Sequence, residues 1–416
     1  MTACFIEPVD VLYLRGNRLF GGAGEHGEAL MPPWPSVASG AVRSHLLSGS
    51  GAEFDDFANG MTGLFDAPLQ QALGTPREPG SFTLRWFSPA VLENGAAQPV
   101  FPLPQDVFIP APDKGEVRPS EVHMLQPQPL PAGVRTSATP KQMAVLKRDN
   151  PAKPASGWWL NKAGLQAWVK GAPLTPDHLI AINDVWSTEQ RLGIARDTDT
   201  ATAAEGQIYT TETIAFRRQG STQGGFLALV DGIAADALPD GLLRFGGDGR
   251  AARLQRADWQ PPEPDWQFIK QQKACRILLT TPGLFVDGWR LPGMDASGNW
   301  QLPDGSLKGR VLAAAVARSR TVSGWDLTAF SDPRREREKR TAGLGHPKPA
   351  QRSVPVGSVY WLTELDGDIR GGLQRLLSEG LWAAMTDEQR QEIGLQRRAE
   401  GFNACLVGAP LEQKSN

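Results

Sequence analysis

The chain has 416 residues, 40% hydrophobic and 21% charged, which excludes a disordered protein and supplies enough material for two or more domains with real cores. Its net charge is −2 and its pI about 6.3, so the protein as a whole is not drawn to nucleic acid; any such binding must rest on a local patch. Three widely spaced cysteines, Cys4, Cys275 and Cys405, offer neither a disulfide framework nor a Cys-x-x-Cys metal pair, and no apolar run approaches the ~20 residues of a membrane span.

The opening M-T-A-C-F-I-E-P-V-D has no basic n-region and carries Glu7 and Asp10, so it does not read as a signal peptide, and a cytoplasmic protein is expected. Residues 4–14 read as a first strand, 35–47 as a helix with Ser36 as its N-cap, and 81–92 as a second strand. A stretch from about 102 to 204, rich in proline and carrying Trp158, Trp159, Trp168 and Trp186, reads as an insertion that serves protein contacts and is ordered against a neighbour. Strands at 207–217 and 225–230 follow, and the proline-rich tract 258–266 is a stiff linker.

The second half repeats the outline. Arg276-Ile-Leu-Leu-Thr-Thr is a strand closed by Pro282 and Gly283, and 304–318, with Asp304 or Ser306 as cap and alanines after it, reads as a helix. Residues 353–365 are a strand, 369–382 an amphipathic helix, and 402–407 a closing strand. Strand, helix, strand, helix, strand is the outline of a split βαβ, and the expected class is α+β: two ferredoxin-like domains in tandem, 1–257 and 267–416, joined by 258–266, with the long insertion in the first.

Several pieces in order resemble a known family. They are Phe5 to Arg15 with Leu19-Phe20-Gly21, Pro35-Ser36 through Arg43, Arg191-Leu-Gly-Ile, Glu205-Gly-Gln-Ile-Tyr209, Leu242 to Arg250, Gly324-Trp-Asp326, and H-P-K-P-A-Q-R-S-V-P-V-G-S-V-Y-W at 346–361. Together they resemble the third-subunit family of type III-B CRISPR (Cmr) effector complexes, within the RAMP superfamily. The resemblance covers both halves but not the insertion. It implies two RRM-like domains and a noncatalytic RNA-binding scaffold that grips the repeat-derived 5′ tag of the crRNA. It further implies contacts with the large polymerase/cyclase-like subunit, the first backbone subunit and other Cmr subunits, with no cofactor, no metal and no membrane.

The charge map agrees with a local RNA surface. Between Lys308 and Arg352 eleven Lys and Arg stand against four Asp and Glu, a balance of +7 that leaves −9 for the rest. Pro347, Pro349 and Pro355 hold Lys348 and Arg352 on extended backbone, and both are candidate phosphate contacts. The run Pro333 to Arg340 reads either as such a contact or as a solvated segment held by i, i+4 ion pairs. Two helix starts suit a phosphate: Ser36, Ser39 and Gly40 with Arg43, and Ser306 to Gly309 with Lys308 and Arg310. Two glycine loops can bring backbone amides near a strand of RNA: Gly246 and Gly247 with Arg250, and the loop of Arg15 and Arg18. Among 13 tryptophans, Trp34, flanked by prolines, is the best exposed stacking candidate, and of Tyr360 and Trp361 one is expected to face inward.

The alternative is a metal-independent RAMP-type endoribonuclease that processes repeat RNA with a histidine base. Five scattered histidines, with no His-Asp pair and no His-x-x-x-His spacing, leave His45 and His26 as its candidates. A β-rich carbohydrate-active enzyme would use the tryptophans but explains neither the basic segment nor the repeated domain plan.

Overall fold

Strand β1, Thr2–Pro8, is buried along its whole length. Cys4 and Ile6 enter one apolar cluster and Ala3 and Phe5 another, so its sheet is covered on both faces. The computed structural model describes residues 1–16, 26–111, 118–136, 138–140, 142–148, 151–197, 199, 200, 202–326 and 346–412, with the backbone alone at 26, 195, 196, 204–207 and 346.

Helix α1 is Pro35–Gly49, and β2 (Thr83–Glu93), β3 (Thr222–Asp231) and β4 (Ala251–Arg256) complete the central part of the first sheet. Their order is β4-β1-β3-β2, every pair antiparallel, with Gly241–Arg244 and Ala96–Pro99 at the edges. The second sheet is built from β5 (Cys275–Leu279), β6 (Leu307–Ala315), β7 (Val359–Gly367) and β8 (Cys405–Gly408), with helix α2, Ile369–Glu379, before the last strand. Its order is β8-β5-β7-β6 with Asn299–Gln301 at the far edge, again antiparallel throughout. Numbered along the chain, each sheet runs 4-1-3-2.

The segment expected as a helix at 304–318 is β6. Leu307, Val311 and Ala313 are buried while Lys308 and Arg310 are exposed, a period of two that no helix satisfies. A Cβ on Gly309 would lie 2.9 Å from Leu365 and 3.0 Å from the Thr363 carbonyl oxygen, and hydrogen-bonded neighbours on both sides override the helix preference of alanine. Asp304 caps no helix: its carboxylate accepts from the Ser306 N–H and hydroxyl and pairs with Arg375, contacts that hold its pKa down at about 2. Ser36 is not an N-cap either. Trp34 holds that position, Pro35 supplies the first turn, and Ser36 lies one residue further in.

Residues 207–217 do not enter the first sheet. Ala203–Phe216 pairs with Trp186–Arg196 in a long antiparallel hairpin. Part of the insertion packs inside this chain. Phe101, Leu160, Leu165, Trp168 and Leu179 form one cluster with Phe5 and Trp86 of the first sheet, Trp259 of the linker, and Leu278, Val359, Trp361 and Leu406 of the second. Both Tyr360 and Trp361 are therefore buried, Tyr360 toward the α2 side and Trp361 toward the insertion.

One polar contact lies at the centre of that shared cluster. Arg276 of β5 and Asp106 of the insertion are both completely buried and meet at 2.9 Å. Arg276 also donates to the carbonyls of Trp168 (2.6 Å) and Ala409 (2.9 Å), and the Trp168 Nε1–H donates to Asp106. Burial pushes the carboxyl up and the guanidinium down in pKa, and the opposite charge counters both shifts.

Two outcomes are expected. Asp106→Ala, which strands a buried cation, lowers stability by about 3–5 kcal/mol in urea denaturation, whereas Asp106→Leu combined with Arg276→Met lies nearer wild type than either single change; equal losses in all variants would remove the pair from this role. The three thiols are buried, each with its pKa raised to about 12 chiefly by desolvation. Native protein at pH 8 should therefore resist alkylation by iodoacetamide, and urea should expose all three, as counted by mass spectrometry.

Candidate nucleic-acid interface

The residues singled out from the sequence divide among four places. The first is the meeting of the two glycine loops. The Gly247 N–H donates to the Tyr13 carbonyl (2.8 Å), Arg250 pairs with Asp10 (2.7 Å), and its guanidinium sits 5.2 Å from the Tyr13 ring centre. Gly246 is required there: its φ is +81°, and a Cβ at this position would stand only 2.9 Å from the Tyr13 oxygen. Arg15 is exposed nearby, in a bridge with Ala29. Arg18 and the His26 side chain lie outside the described residues.

The second place is the junction of the two halves. Ser39 is buried and donates to the Ala399 carbonyl (2.8 Å), and Arg43 donates to the Leu73 carbonyl (3.2 Å), its pKa lowered by burial and raised back by Glu400. Lys348 pairs with Glu400 at 2.6 Å in a nearly closed setting, and Arg397 takes the other carboxylate oxygen at 2.9 Å. These contacts join α1 of the first half to the segment 395–400 of the second. Gly40 is exposed on α1 and Ser36 half-buried at its start.

Lys308 and Arg310 form a third place, on the exposed face of β6 opposite Gln301 and Asn299. His45 stands apart from all of these, its Nε2 against the Pro239 carbonyl at 3.1 Å.

The fourth place is a groove between the halves. It consists of two cavities, about 710 and 410 Å³, that share Gln105, Ala317, Ser319 and Pro355. Arg352 lines the larger with Trp289, and Arg318 and Arg320 line the smaller with Trp34, Phe87 and Trp159. All three arginines are exposed, and none has an ion pair among the described residues. The strand pairing that places them is local: Arg320 lies opposite Ser353 and Thr321 opposite Arg352. Trp34 is less open than expected; it is half-buried and packs on the core of the second half.

The sequence singles out Arg352 and Trp34, whereas Arg318, the last residue of the expected helix 304–318, and Arg320 enter only through the basic charge of their stretch. Gln105 and Trp289 carry no signal in their sequence surroundings. The run Arg334 to Arg340 lies outside the described residues. Among the described residues no group of three or more His, Cys, Asp and Glu could hold a metal, and no helix is long and apolar enough to cross a membrane.

A family model described as CRISPR-associated protein (Cas_Cmr3) matches residues 4–410. None of the curated proteins is significantly similar in sequence. Among solved structures, a chain of the type III-B Cmr-beta complex bound to cognate target RNA and AMPPnP, state 1, is 14% identical, with 97% of this chain and 95% of that one covered at a TM-score of 0.49. The same complex bound to cognate target RNA gives 14%, 97%, 96% and 0.47, and its apo state 13%, 61%, 96% and 0.26.

Proposed function

The chain belongs to the CRISPR-associated Cas_Cmr3 family, and on that premise we propose that it is a noncatalytic scaffold subunit of a type III-B Cmr complex, in the cytoplasm, that binds the repeat-derived 5′ tag of the crRNA. The observation that carries the RNA reading is the groove between the halves. Three exposed arginines converge there on a protein whose net charge is −2, beside aromatic side chains. Cation and ring together are what single-stranded RNA needs: arginine for phosphates and flat apolar walls for unpaired bases. The two 4-1-3-2 sheets are read as split βαβ, RRM-like domains, 1–257 and 267–416, each keeping one of its two helices, α1 and α2.

In this reading the glycine-loop corner with Arg15, Arg18 and Arg250, and the open strand face of Lys308 and Arg310, extend the path of the RNA or meet other subunits. The large polymerase/cyclase-like subunit and the first backbone subunit are the proposed neighbours. Lys348, Arg43 and Ser39 support the groove from the junction behind it, held by Glu400 and Ala399. The competing histidine-dependent endoribonuclease rests on His45 or His26, and His45 is engaged by a carbonyl.

The test is anisotropy of single-stranded repeat RNA with the full chain across salt concentrations. Replacing Arg318, Arg320 and Arg352 together by alanine should reduce the slope of log Kobs against log salt by about 2, since each phosphate contact is worth ~0.7 on single strands. An unchanged slope removes the groove from the reading. Specific cleavage by wild type that vanishes in His45→Ala or His26→Ala would install the endoribonuclease instead.

A further inference from the structure

The edge strand Gly241–Arg244 pairs on one side with β4 and has no strand on its other side among the described residues. Two contacts fix which of its backbone groups are left open. The Phe245 N–H donates to the Arg250 carbonyl (2.9 Å), and the Ala251 carbonyl accepts from the Val9 N–H (3.1 Å), on the side of β1. Hydrogen-bonded pairs alternate along an antiparallel ladder, so Leu243 bonds to β4 while the N–H and C=O of Leu242 and Arg244 point outward. An open strand edge of this kind is a place where another chain can add.

The side chains of the same two residues lie on an open face. Leu242 stands opposite Arg253, Arg253 opposite Glu7, and Arg244 opposite Ala251, and directly opposed residues share one face of a sheet. It is the face on which Ala3 and Phe5 meet the insertion, and further along β1 it opens. Leu242 is 64% and Val9 58% exposed, with Arg244 and Arg253 exposed beside them. Neither arginine has an ion pair among the described residues. The nearby acids are already engaged: buried Glu7 pairs with Arg218, Asp10 with Arg250, and Asp240 accepts from the Arg256 N–H.

This chemistry differs from that of the groove between the halves, where arginines stand beside aromatic walls as unpaired bases require. Here the apolar side chains are aliphatic, and they adjoin open backbone groups, which suits a polypeptide. We propose that Gly241–Arg244 receives an extended acidic segment of another protein subunit as an added strand. The segment places an aliphatic side chain beside Leu242 and, two residues away on the same face, a carboxylate beside Arg244 and within reach of Arg253. None of these residues lines the groove, and only the origin of the segment, another subunit of the same complex, rests on the scaffold reading given above.

The experiment is hydrogen exchange with residue-resolved mass spectrometry on the full chain, alone and in the assembled complex, before and after nuclease digestion of the RNA. Alone, the Leu242 and Arg244 amides should exchange freely; in the complex both should slow about tenfold, with the RNA present or digested. Arg244→Glu combined with Arg253→Glu should reduce recovery of the chain in the complex about tenfold at unchanged thermal melting. Arg244→Lys should retain assembly and give a zero-length carbodiimide cross-link to a carboxylate of another subunit. No slowing at the two amides, or no loss on charge reversal, overturns the added strand while the scaffold reading stands. Slowing that nuclease abolishes gives this face to RNA and overturns the proposal. A chain that enters no complex overturns the scaffold reading and this surface with it.

Discussion

The contact on which the rest of the structure depends is the buried pair of Asp106 and Arg276. It joins the insertion to an inner strand of the second sheet, and Trp168, which donates to the carboxylate, lies under the guanidinium with its ring centre 4.1 Å away. Two fully desolvated charges stabilise a fold only when every remaining lone pair and proton is satisfied. Here backbone carbonyls of Trp168 and Ala409 take two further guanidinium N–H groups, so the pair fixes one arrangement of four segments through contacts that span 62 to 170 residues in sequence. The consequence reaches the surface. Gln105, next to Asp106, forms the divide between the two cavities, and its N–H is tied to the Gly357 carbonyl at 2.8 Å. One wall residue shared by both cavities thus adjoins the buried pair.

Charge is distributed by the same logic. Basic side chains that the sequence places together do different work according to whether an acid reaches them. Lys348 and Arg397 close on Glu400, Arg250 on Asp10 and Arg276 on Asp106, whereas Arg318, Arg320 and Arg352 line open cavities. A protein of negative net charge can bind a polyanion only where such cations stay open, and the groove is where open cations and aromatic walls coincide.

The strand and helix outlines were legible wherever periodicity was unambiguous: α2 carries Leu373 and Leu376 on its buried side as the spacing requires. The strand 307–315 was not, because an alanine-rich run has high helix propensity and its strand character lies in partners about 50 residues away in β7. The place of the insertion was equally hidden. Local composition reads it as material for protein contacts, but its Trp168 fills the space between two sheets that are apolar on both faces, as the two-sided burial of β1 and β7 records. Of the candidate site, the sequence showed charge but not its neutralisation: Glu400, which engages Lys348, lies 52 residues downstream of it.

The groove is a property of both halves together, and this constrains how it can work. Trp34 opens the first helix of the first half yet packs on the core of the second, and Thr280, which follows β5 of the second half, lines the same cavity as Phe87 of the first. Ser39 and Arg43, further along the same helix, bind or sense residues 399 and 400. A change in the relative position of the halves must therefore alter the cavity walls, the helix terminus and the arginine spacing at once. Conversely, a ligand seated in the groove favours the one arrangement in which all three are aligned, and its binding free energy adds to the cohesion of the two halves. Recognition and interdomain geometry are in this way one equilibrium, and the fully buried Asp106–Arg276 pair keeps that equilibrium close to a single state before any ligand arrives.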